Sequence, residues 1–175
     1  MKKVAFLIIL ILVLGVFSSC ASSMLYKVET KEIRDIDGVI NITSMPVYVD
    51  NWAMWYFDML SISKVQRGNV EFYRFEVEVW LSDWLFIDTL RLKINDGETI
   101  SLVDNNPSRK VIPGTVGNAY SMSTPTRVHE VAYFLLNENI VNELKNCNSI
   151  TFQHKTQLVT LPPEAITAIK NFLNK

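Results

Sequence analysis

The chain has 175 residues, enough for one domain of ordinary size. Its 17 basic and 18 acidic side chains leave a net charge of −1, without the clustered basic surface that a nucleic-acid partner needs. With only two cysteines, Cys20 and Cys147, a disulfide framework is excluded if either is modified, and the 49% hydrophobic content must build an apolar core instead.

Lys2 and Lys3 form a short basic start, followed by the apolar run Val4–Val16 and the small residues Ser18 and Ser19. This is the layout of a secretory signal peptide over residues 1–19. The run is too short for a spanning helix, which needs ~20 apolar residues. The residues Phe17-Ser18-Ser19-Cys20 resemble the lipobox of bacterial lipoproteins, with Phe17 where that class usually has Leu. The resemblance implies cleavage before Cys20 and a diacylglyceryl lipid (carrying acyl chains such as palmitate) on its thiol. It also implies a place in the bacterial cell envelope, with the protein tied to a membrane through that lipid. The absence of Asp at position 21 favours the outer membrane if enteric-type sorting applies. Residues 20–25 are then a short tether, and residues 26–175 a single domain held close to the lipid surface.

Within that domain, residues 26–33 read as a first strand and Val39–Val49 as a second. The aromatic-rich stretch Trp52–Ser63 reads as a third, and Gln66-Arg67-Gly68-Asn69 as a turn. In residues 70–81 the alternation is clear: Tyr73, Phe75, Val77, Val79 and Leu81 share one face, and Arg74, Glu76 and Glu78 the other. Residues 84–94 read as the next strand. Asn95-Asp96-Gly97 predicts a type I′ hairpin turn leading into Thr99–Val103. Arg109–Ile112 reads as a short edge strand stopped by Pro113-Gly114, and residues 113–125 as the longest loop. A strand over 126–136 precedes a helix that Asn137 caps. Residues 149–154 and 156–161 read as two strands, and Pro162-Pro163 opens a final helix with Ala165, Ile166, Ile169, Phe172 and Leu173 on one face. The expected fold is α+β: a mainly antiparallel sheet or sandwich of about eight strands with two short helices, the second at the C-terminus.

The chemistry-bearing residues are sparse. Glu76 and Glu78 share a strand face at a spacing that serves glycosidases, yet Arg91 and Lys93 on the following strand are expected to pair with them on a solvated face. His129 and His154 lie far apart with no metal-ligand spacing. Cys147 reads as a buried apolar residue. No phosphate-cradling loop, nucleophile elbow or cofactor motif is present, so the sequence implies no metal and no cofactor. Trp52, Trp55 and Tyr56, with Trp80 and Trp84, suit a core, with an exposed stacking surface as the alternative.

The reading is a membrane-anchored envelope lipoprotein with a non-catalytic binding or interaction role. Its candidate interaction surface is Tyr120 and Met122 in the 113–125 loop, then Trp52, Trp55 and Tyr56. The expected partners are the membrane and an envelope protein or small ligand. The alternatives are an enzyme whose site assembles only in three dimensions, and a structural protein of envelope assembly.

Overall fold

The computed structural model describes residues 26–36, 38–47, 59–114 and 125–175, and among these no helix is long and apolar enough to cross a membrane. They form ten strands and two helices: β1 (Glu29–Asp35), β2 (Gly38–Val47), β3 (Met59–Arg67), β4 (Val70–Leu81), β5 (Thr89–Ile94), β6 (Thr99–Val103), β7 (Ser108–Ile112), β8 (Arg127–Leu136), β9 (Ile150–His154) and β10 (Gln157–Thr160), with α1 (Glu138–Asn146) and α2 (Pro163–Leu173). Every strand pairing is antiparallel. One sheet runs β1-β2-β3-β4-β8-β7 and the other β10-β9-β5-β6. The expected α+β class, its antiparallel sheets and its C-terminal helix are thus present, with ten strands in place of about eight.

Period-two alternation explains why the sheets meet. Phe75, Val77 and Val79 of β4 and Ala132 and Phe134 of β8 are buried on one face of the six-stranded sheet. Leu90, Leu92 and Phe152 answer from the four-stranded sheet, and the Phe75 and Phe152 rings meet edge to face at 5.1 Å. The helices complete the same core through Ile140, Leu144, Ile166, Ile169 and Phe172. Asn137 caps α1 as expected, its Oδ1 accepting the Ile140 N–H at 2.9 Å. Cys147 is fully buried, its thiol donating to the Leu144 carbonyl, and burial pushes its pKa up.

Three local expectations are corrected. Gln66 and Arg67 belong to β3, and only Gly68-Asn69 turn the chain, Gly68 at φ 57. The Asn95-Asp96-Gly97 loop is not type I′: positive φ falls on Asn95 (52°), not on Gly97. Asn95 Oδ1 is recruited elsewhere, accepting the N–H groups of Asn148 at 2.7 Å and Ser149 at 3.1 Å. Residues 84–88 are not strand, because the amides of Leu85, Phe86 and Ile87 are taken by a buried carboxylate. Glu130 of β8, with no exposed surface, accepts the N–H groups of Leu85 (2.5 Å), Phe86 (3.0 Å) and Ile87 (3.3 Å). The Arg109 Nε from β7 donates to the same carboxylate at 3.2 Å, and its guanidinium also bonds Asp88. These contacts pin the chain where it crosses from one sheet to the other, with Phe86 at φ 56.

Candidate functional site

The face of the six-stranded sheet turned away from the core carries a groove. Alternation places Glu29, Lys31 and Ile33 of β1, Ile42, Ser44 and Pro46 of β2, and Met59 and Ser61 of β3 on that face. Arg74 and Glu76 of β4 and Tyr133 of β8 join them. All of them, with Lys27, line a groove of about 530 Å³. Five adjacent strands can line one groove only if the sheet coils to make that face concave, as twisted sheets do.

The groove mixes apolar residues, Ile33, Ile42, Pro46 and Met59 from β1 to β3, with polar ones, and Arg74, Glu76 and Tyr133 form its β4–β8 side. Arg74 stacks on Tyr133, with the guanidinium carbon 3.9 Å from the ring centroid, and its Nη2 donates to Glu76 Oε2 at a long 3.5 Å. The side chains of Arg74 and Glu76 are only 17% and 21% exposed. Removal from water raises the Glu76 pKa, Arg74 opposes the rise, and the neighbouring Glu78 charge adds to it. Burial and then the Glu76 charge push the Tyr133 phenol up in turn. Arg74 Nε and Ser63 Oγ, register neighbours on β4 and β3, are buried with no hydrogen-bond partner among the described residues. A buried donor left unmade costs ~1–3 kcal/mol, so this part of the sheet is not optimised for stability alone.

Beyond the groove on the same face lies a second cluster. Glu78 Oε1 accepts the Trp80 Nε1–H at 2.9 Å and hydrogen-bonds His129 Nε2 at 2.9 Å, while the Trp80 and His129 rings stack at 4.0 Å. Two expectations fall here. Glu76 and Glu78 do not pair with Arg91 and Lys93, because β5 belongs to the other sheet and β4 lies between β3 and β8. The carboxylates are instead partly buried among partners on their own sheet. Trp80 is not core: it stands on the outer face, 39% exposed. His154 is buried in the other sheet, its Nδ1 3.1 Å from the Thr89 carbonyl oxygen, so the two histidines stay apart.

Cys20, Trp52, Trp55, Tyr56, Tyr120 and Met122 lie outside the described residues. The strand ends that flank residues 48–58 and 115–124 are described, and they fall at one end of the six-stranded sheet. Val47 pairs with Leu60, and Ile112 with Arg127, both toward the Leu81 end of β4.

Arg74, Tyr133, Lys31 and Ser61 were not singled out by the sequence. The alternation of β4 showed that Arg74 and Glu76 share a face, but nothing in it showed that the face is concave. Glu130 did leave a trace: it interrupts the inward series Val128, Ala132, Phe134 and Leu136 with a charge. No protein-family model, curated protein or solved structure matches the chain.

Proposed function

We propose that this chain is an envelope lipoprotein, held to a membrane by lipid on Cys20, whose domain binds a small ligand in the sheet groove without converting it. The observation that carries the reading is the groove itself. Its size falls in the ~300–1,000 Å³ range of small-molecule sites, and its lining follows their pattern of apolar walls with a few converging polar groups. Arg74, Glu76 and Tyr133 offer donors and acceptors on the β4–β8 side, and Met59, Pro46, Ile33 and Ile42 offer apolar surface across β1 to β3. A small amphipathic molecule with a polar, hydrogen-bonding end suits that division. Among the described residues no histidine or cysteine lines the groove, and Glu76 is engaged by Arg74, which favours holding over turnover.

The test is mass spectrometry of the full chain extracted from its native envelope, beside Arg74→Met. Under native conditions the wild type is expected to carry a non-covalent small-molecule adduct that Arg74→Met, shown by circular dichroism to be folded, loses. Adduct-free wild type, or equal adducts on both proteins, overturns the groove reading. Under denaturing conditions the chain is expected to begin at Cys20 and to carry the mass of its lipid. An unmodified Cys20 overturns the lipoprotein reading and leaves the groove reading to its own result.

A further inference from the structure

Among the described residues, β1 is an edge strand of the six-stranded sheet, paired on one side with β2 and open on the other. An open edge offers unpaired backbone N–H and C=O groups to any extended chain, and charged side chains usually deter such pairing. The charges on β1 have a particular order. From Lys31 to Asp35 the sequence is Lys-Glu-Ile-Arg-Asp, antisymmetric in sign about Ile33.

We propose that β1 is a self-recognition edge, and that two copies of this chain join by antiparallel β1–β1 pairing centred on Ile33. A two-fold axis perpendicular to the shared sheet keeps each residue on the same face as the residue opposite, so the axis must pass through a residue and not between two. Centring on Ile33 sets Glu32 opposite the second copy's Arg34 and Lys31 opposite its Asp35, and symmetry repeats each pair. Centring on Lys31, Glu32 or Arg34 would place like charges face to face on the axis. Centring on Thr30 keeps one kind of acid–base pair, Glu29 with Lys31, against two around Ile33.

Arg34 and Glu32 are available for the exchange: they are 83% and 49% exposed, and among the described residues they are held only by each other, Nε to Oε1 at 2.9 Å along one strand. Ile33 is 36% exposed and meets its own copy at the axis, removing apolar surface from water. Lys31 and Ile33 also line the groove, on its β1 flank. Pairing therefore brings the second copy's Ile33 to that flank, and the two grooves meet across the axis. The inference stands whether or not a ligand fills them.

Cysteine scanning in the full chain, in membranes under mild oxidation, tests the register. Residues directly opposite lie ~4.5–5.5 Å apart at Cα, within disulfide reach, so Ile33→Cys should give a disulfide-linked dimer absent from the unsubstituted chain. Thr30→Cys, about six residues from its own copy in this register, should not. A Thr30→Cys dimer, or equal crosslinking at both positions, overturns the proposed register. Charge reversal tests the recognition. In the Ile33→Cys background, Glu32→Arg should lower the dimer yield roughly tenfold, because symmetry doubles each altered pair. Adding Arg34→Glu to Glu32→Arg restores complementarity and should restore the yield. No dimer at Ile33→Cys, or reversals without effect, overturns the proposal.

Discussion

Glu130→Gln isolates one buried contact with a large expected effect. The Glu130 carboxylate accepts four hydrogen bonds, three from consecutive backbone amides and one from Arg109 Nε, in a site with no exposed surface. Hydrogen bonds to charged groups contribute ~1.5–3 kcal/mol each, but they share one carboxylate and are not additive. Gln keeps the shape and one acceptor oxygen. Its NH₂ group then faces donors, and the Arg109 guanidinium keeps only Asp88. Removing one partner of a buried ion pair costs ~3–5 kcal/mol, about a fifth or more of the ~5–15 kcal/mol that holds a domain of this size. A urea melt of Glu130→Gln should therefore show a loss of ~3–5 kcal/mol. Native-state hydrogen exchange should show the amides of Leu85, Phe86 and Ile87 losing protection beyond that global change. A loss under ~1 kcal/mol, with those amides still protected, would refute the claim that this carboxylate pins the crossing between the sheets.

Ile169→Ala, at a fully buried position of α2, should cost ~2–5 kcal/mol in the same melt; a change under ~0.5 kcal/mol would mean that the helix is loosely docked. Glu76 has a folded-state pKa raised chiefly by burial, so its contribution to stability is full below the ordinary Glu value and is lost as pH rises through the folded value. Glu76→Gln should therefore melt higher than the wild type at about pH 8 and lose that advantage near about pH 4. A Glu76→Gln protein that is less stable at the higher pH would show that the Arg74 ion pair outweighs the burial of the carboxylate.

The elements most legible in the sequence are those decided by local periodicity and local chemistry. The alternation of residues 70–81 coincides with β4, and the apolar stripe after Pro163 with α2, because each records which face must leave water. Asn137 caps α1 because its side chain serves an amide three residues away. The errors fall where a distant group outbids a neighbour. Residues 84–88 carry strand composition, yet Glu130, more than forty residues on, takes the amides of Leu85, Phe86 and Ile87. Asn95 bends its loop toward Asn148 and Ser149 instead of closing a two-residue turn.

Sequence alone determined the antiparallel α+β class, the two helices and the face that Arg74, Glu76 and Glu78 share, since period and capping act within a few residues. Which strand neighbours which was decided only by the tertiary structure. A reading by adjacent hairpins gave Glu76 and Glu78 partners on β5, whereas β8 returns to pair with β4 and supplies Tyr133 and His129. The groove belongs to this second category as well. Its residues come from five strands, and its concavity arises from the coil of the whole sheet, a property that no single strand carries.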